Sequence, residues 1–112
     1  MSNHTIVIPA SDLAAATAFY KVAWGAEPHT ETPYYVGFNL DGQEIGLNPN
    51  GEHDRMTGPV VYWKTDDLEA KVAEVEAAGG TVVRPVTAVG GGTSLALMTD
   101  PAGNQVGFIH QA

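Results

Sequence analysis

Residues 65–85 read TDDLEAKVAEVEAAGGTVVRP, a helix with both of its ends and the strand that leaves it. Thr65 or Asp66 can offer a side-chain oxygen to the free N–H groups of a first helical turn. Leu68, Val72 and Val75 then recur at helical spacing on one face, while Glu69, Lys71, Glu74 and Glu76 face water. Gly79-Gly80 stops the helix. Thr81–Val86 is rich in β-branched residues and extends as a strand. Just upstream, Val60-Val61-Tyr62-Trp63 is an apolar strand leading in.

The same punctuation stands 55 residues earlier. Asp12-Leu13 opens a helical stretch as Asp67-Leu68 does, and Gly25 closes it as Gly80 closes the other. Thr5-Ile6-Val7-Ile8 is the strand leading in. Ser11 or Asp12 is the cap, and Leu13, Ala16, Tyr20 and Ala23 form the inner face with Phe19 beside them. Internal repeats set architecture, so the halves are expected to share one topology. Strands follow each helix: Tyr34–Leu40 and Gln43–Asn48 in the first half, with a weak one at His29–Thr32. In the second half they are Thr81–Val86, Ser94–Thr99 and Gln105–His110. Asp41-Gly42 is a hairpin turn, and Gly90-Gly91-Gly92 and Asp100–Gly103 are further turns.

Each half thus reads strand–helix–strand–strand–strand. The expected fold is α+β: two βαβββ modules forming an open, curled mixed sheet around a cavity, helices outside. The chain of 112 residues is one domain. Module one spans about 1–50 and module two about 59–112, with a polar linker over about 49–59. Exposed sheet edges favour a homodimer, paired edge to edge or by swapped modules.

Five basic residues against thirteen acidic ones give a net charge of −8, the wrong sign for nucleic acid. The acidic balance suits a cationic ligand. No stretch is apolar enough to span a membrane, and the absence of cysteine suits a reducing cytoplasm.

Three segments carry a family resemblance. SDLAAATAFYKVAWG (11–25), TDDLEAKVAEVEAAGGTVVRP (65–85) and DPAGNQVGFI (100–109) resemble the helices and the terminal hairpin of the vicinal oxygen chelate superfamily. This is the glyoxalase/bleomycin-resistance/dioxygenase group. The resemblance implies four inward side chains, from the first, fourth, fifth and last strands, that hold a divalent metal in the family's enzymes. Mapped here, those positions are Thr5, Gly46, Val60 and Gly107. None is a good ligand for a transition metal. Glycine inside a strand loses packing, so Gly46 and Gly107 are expected to be vacated ligand positions that enlarge the pocket. No metal or other cofactor is expected.

Strand alternation extends the set. Val7 shares a face with Thr5, Glu44 and Asn48 with Gly46, Tyr62 and Lys64 with Val60, and Ile109 with Gly107. These ten are the expected ligand-binding residues, and no catalytic residue is assigned. Ile6, Ile8, Ile45, Leu47, Val61, Trp63, Val106 and Phe108 fall to the core under the helices. His4 and His110 point away by the same parity, although a one-residue slip would turn them inward. The expected function is a metal-free small-molecule-binding protein of the bleomycin-resistance type, which sequesters a cationic or aromatic drug or metabolite. The alternative is a metal-dependent lyase, isomerase or dioxygenase with a non-standard site.

Overall fold

Both halves of the chain fold in the same order. In the computed structural model, which describes residues 2–112, the first half runs β1 (Asn3–Pro9), α1 (Leu13–Trp24), β2 (Thr30–Glu31), β3 (Val36–Leu40) and β4 (Gln43–Asn48). The second runs β5 (Val60–Lys64), α2 (Leu68–Ala77), β6 (Thr81–Gly90), β7 (Thr93–Thr99) and β8 (Gln105–Gln111). The class is α+β. Thr5–Pro59 form one compact unit, and Val60–Ala112 with the N-terminal residues through His4 form the other.

In the first unit β1 pairs parallel with β4, and β4 and β2 pair antiparallel with β3, in the order β2-β3-β4-β1. In the second unit β5 pairs parallel with β8, followed antiparallel by β7 and β6. The repeat seen in sequence is therefore a repeat of strand topology.

Each unit packs its helix on one face of its own sheet. Val36, Phe38 and Leu47 form the buried centre beneath α1, joined by Ile8, Leu13, Ala16, Tyr20 and Trp24. Leu68, Ala96, Met98 and Phe108 do the same beneath α2, with Trp63, Val72, Val75 and Val106. The parity chosen from sequence thus holds for Ile8, Leu47, Trp63, Val106 and Phe108. An aromatic run carries the first core outward: Tyr20 stacks on Trp24 with centroids 4.3 Å apart, and Trp24 meets Phe38 edge-on at 5.0 Å.

The caps differ in detail from expectation. Asp12 caps α1, its Oδ1 accepting from Ala15 N at 3.0 Å. For α2 the cap is Asp67, accepting from Ala70 N at 3.1 Å, not Thr65 or Asp66. The capping oxygen must lie one residue before the first helical turn, and that turn starts at Leu68. The inner face of α1 also needs correction. Phe19 and Ala23 are exposed, whereas Thr17 is buried and its hydroxyl donates to Leu13 O at 2.7 Å. At 100° per residue Thr17 lies about 40° from Leu13, at the edge of the stripe that Leu13, Tyr20 and Trp24 form, whereas Phe19 lies about 120° from Leu13.

The segment 49–59, expected as a polar linker, is part of the first unit. Met56 is buried, and Asn48 Nδ2 donates to Asp54 Oδ2 at 3.0 Å. Backbone bonds from Asp54 N to Asn50 O and from Met56 N to Gly51 O close successive turns. His53 within it is exposed, with Nδ1 3.0 Å from Oδ1 of its neighbour Asp54.

Candidate functional site

Gly37 and Gly46 stand opposite each other across the β3–β4 ladder, on the face away from α1. Two glycines paired in a strand forfeit side-chain packing on both sides, so something else must use the space. Tyr35 does. Its ring lies on Gly46, where a methyl group would collide with it. A Cβ at Gly37 would stand 2.7 Å from Glu44 Oε2, 2.7 Å from the Tyr35 ring and 2.9 Å from His29 Nε2. The glycine pair is therefore the floor on which the side chains of Glu44, Tyr35 and His29 converge.

Glu44 is their centre. The Tyr35 hydroxyl donates to Oε2 at 2.5 Å, and His29 Nε2 lies 2.7 Å from Oε1 and 3.0 Å from Oε2. On the other side of the imidazole, Nδ1 is 2.7 Å from Thr30 Oγ1. The arrangement that satisfies every partner has Nε2–H donating to Glu44 and Nδ1 accepting from Thr30. The Glu44 side chain keeps 24% of its surface exposed, so the carboxylate is held firmly yet remains reachable. Local sequence places these groups. His29 N donates to Gly37 O at 2.9 Å, and the Thr32 hydroxyl accepts from Tyr35 N at 2.9 Å, fixing the turn that brings the ring over the floor.

The Tyr35 phenol is pushed well above its ordinary value of 10.0, first by burial, then by its hydrogen bond to Glu44 and by that carboxylate's charge. A group whose folded-state value is raised contributes stability that is fully present below its unfolded value and is lost as pH climbs towards the folded one. Wild type should therefore lose more melting temperature between about pH 9 and pH 11 than Tyr35→Phe, which has no proton to lose. Parallel curves for the two proteins would contradict the assignment.

The ten residues expected to bind ligand divide between the units. In the first, Thr5 pairs with Glu44 and Val7 with Gly46, so these four share the face of the cluster. Asn48 lies on the same strand but is committed to Asp54 and to Asn50 N. In the second unit Tyr62 pairs with Gly107 and Lys64 with Ile109. Val60, Tyr62, Gly107 and Ile109 are buried. The Tyr62 ring lies on Gly107 just as Tyr35 lies on Gly46. The space left by each glycine is thus filled by a tyrosine, and the expectation that these vacancies enlarge a pocket gives way to close ring packing. Lys64 and Ile109 border a groove of about 260 Å³ with His4 and His110. His4 bonds Gln111 Oε1 at 3.2 Å and His110 bonds Thr65 O at 3.1 Å. Tyr62 pairs with Gly107 and Trp63 with Phe108, the latter two beneath α2, which is the register read from sequence, yet at the strand ends His4 and His110 share a groove with Lys64 and Ile109.

Glu44 is among the residues expected from sequence, whereas its partners His29 and Tyr35 are not. The legible signal was the pair of strand glycines, since two absent side chains in register invite a neighbour to lie across them.

The residues at the four positions to which the resemblance assigns metal ligands do not fit a divalent transition metal. Thr5 has a hydroxyl, Val60 has no donor, and both glycines are overlaid by rings. Among the described residues no three His, Asp or Glu side chains are placed to hold an ion.

Solved structures share this topology. A protein of Legionella pneumophila described as an NAD-dependent benzaldehyde dehydrogenase superposes with a TM-score of 0.78 at 15% identity, over 96% of this chain and 98% of that one. A glyoxalase/bleomycin resistance protein/dioxygenase superfamily member from Vibrio splendidus 12B01 gives 0.72 at 19% identity, over 96% and 97%. Methylmalonyl-CoA epimerase from Mycobacterium tuberculosis gives 0.71 at 14%, over 99% and 88%. At such identities the likeness is one of fold. No curated protein matches the sequence. The family model for the Glyoxalase/Bleomycin resistance protein/Dioxygenase superfamily matches residues 2–108, and with the shared topology of the two units this places the chain in that superfamily.

Proposed function

We propose that this chain binds a small molecule without a metal, with the Glu44 cluster as its polar anchor. One observation carries the proposal: tyrosine rings lie over Gly46 and Gly107, two of the positions to which the resemblance assigns metal ligands. What remains around Glu44 is a hydrogen-bonding platform. Each carboxylate oxygen accepts from the protein, and Oε1, with one such bond within 2.7 Å, keeps a lone pair for an incoming N–H. A cationic group is the best match, because charge-assisted hydrogen bonds are the stronger ones and the net charge of −8 draws cations in. The outward face of Tyr35 suits a planar or aromatic portion of the same ligand. The protein would sequester such a drug or metabolite in the cytoplasm. Among the described residues no helix is long and apolar enough to cross a membrane.

A thermal-shift screen of cationic and planar aromatic compounds tests this. A true ligand at 100 times its Kd should stabilise the fold by about 2.7 kcal/mol. Glu44→Gln should weaken a cationic ligand roughly tenfold or more, because a charged acceptor becomes neutral. A broad library without a single shift, or a ligand indifferent to Glu44→Gln, would refute the anchor.

A further inference from the structure

Basic side chains are scarce in this chain, five Lys and Arg with four His against thirteen acids. Three of them nevertheless meet in one place. His4, Lys64 and His110 line the groove of about 260 Å³ together with Thr65, Asp66 and Gln111, and all of these belong to the second unit. Asp66 is the single acid in that lining, so the charge balance of the groove is opposite to that of the chain. Lys21 and Lys71 both have carboxylates at ion-pair distance. Among the described residues Lys64 has none. The hydrogen bonds also fix which ring nitrogens carry protons. His110 Nδ1 lies 3.1 Å from Thr65 O. A carbonyl oxygen only accepts, so Nδ1 holds the proton and Nε2 is left as an acceptor. His4 Nε2 lies 3.2 Å from Gln111 Oε1, and the Gln111 amide nitrogen donates to Thr93 Oγ1 at 3.3 Å, which orients that amide. His4 Nε2 is therefore a donor already committed to Gln111.

We infer that this groove binds a phosphate group with at least two ionisable oxygens, either free phosphate or a small monoester. Lys64 supplies the cation, since an ammonium holds phosphate as a point charge. His110 supplies the selection. Near neutral pH such a phosphate and the imidazole hold one proton between them, with O–H donating to Nε2 or Nε2–H donating to the oxygen. A carboxylate is fully ionised there and brings no such proton, so it meets Lys64 alone. The groove is smaller than a drug-sized pocket, which suits a compact anion. Its charged surroundings leave room for one. In the neighbouring groove, which shares Lys64, Thr65 and Asp66, Asp67 is committed as the cap of α2 and Glu74 pairs with Lys71 at 3.1 Å. Asp66 is then the acid left to oppose an anion. The Glu44 cluster belongs to the first unit, so this site stands independently of the ligand proposal.

Long-range proton–nitrogen NMR of the imidazoles reads the result directly. Without ligand, at about pH 7.5, neutral His110 should show the Nδ1–H tautomer. Inorganic phosphate added at constant ionic strength should move the His110 Nε2 signal and saturate, with a Kd on the order of 1 mM. Methyl phosphate should behave alike, whereas dimethyl phosphate and acetate, which carry no exchangeable proton, should bind roughly tenfold more weakly or worse. Lys64→Gln alters an exposed position, so it should keep the wild-type circular dichroism spectrum and weaken phosphate by about tenfold. Four results would each overturn the inference. They are an Nε2–H tautomer at His110, a phosphate response no larger than that of chloride, dimethyl phosphate bound as tightly as phosphate, and a response that survives Lys64→Gln unchanged.

Discussion

Gly107→Ala should destabilise the protein by about 3 kcal/mol, the upper end of what overpacking costs in a well-filled core. The added methyl group meets the Tyr62 ring, and that ring is only 4% exposed. It has little freedom to swing aside, because Gly107 pairs on its other edge with Leu97, which is fully buried. The melting temperature should fall by roughly 10 °C for a domain of this size. Gly46→Ala should be milder, since Tyr35 is only half-buried and can rotate outward, at the expense of its bond to Glu44. A double-mutant cycle separates this packing from a generic helix or strand effect. In a Tyr62→Ala background most of the Gly107→Ala loss should vanish, a coupling above about 1 kcal/mol. Additive losses would mean that the ring and the glycine do not depend on each other.

Phe38→Ala should remove about 3–5 kcal/mol, the usual result of truncating a fully buried aromatic side chain. That is a large part of the 5–15 kcal/mol typical of a whole domain. Phe38 has no exposed surface and meets Trp24 edge-on, so its loss opens a hole under the helix and frees the indole. The chain has two tryptophans, and Trp63 packs in the other unit's core. In a Trp63→Phe background, Phe38→Ala should red-shift the emission of Trp24 under native conditions. Chemical denaturation gives the energy, and a loss under 1 kcal/mol would mean that the core beneath α1 is not organised around this ring.

Much of the fold was legible because punctuation and period agreed. Asp12 and Asp67 open helices at equivalent places, Gly25 takes the left-handed conformation that ends α1 (φ 61°), and Asp41-Gly42 turns with both residues at positive φ. Alternation correctly placed Ile8, Leu47, Trp63, Val106 and Phe108 beneath the helices, while Ile6, Ile45 and Val61, expected with them, are only half-buried and outside those two clusters. Helix α1 was harder. Nearly every residue in LAAATAFYKVAW is apolar, so periodicity could not distinguish the inner stripe from the outer arc. Phe19 and Ala23 were placed inward for that reason.

The candidate site was half legible. Glu44 and Gly46 could be placed by register alone, and they share a face as alternation requires. His29 and Tyr35 could not, because the strands expected at His29–Thr32 and Tyr34–Leu40 are shorter, Thr30–Glu31 and Val36–Leu40, and leave both residues outside, where alternation gives no direction. Their positions depend on a hydroxyl turn at Thr32 and on a backbone bond across to Gly37. The role of the glycines illustrates the same limit. Sequence shows that a side chain is missing, but only packing shows which neighbour takes the space.

Elemental analysis of protein purified without chelator and dialysed exhaustively tests the central claim most directly. Rings lying over Gly46 and Gly107 predict that no nickel, zinc, iron or manganese is retained in stoichiometric amount. One equivalent per chain, lost together with ligand binding on treatment with a strong chelator, would contradict the account.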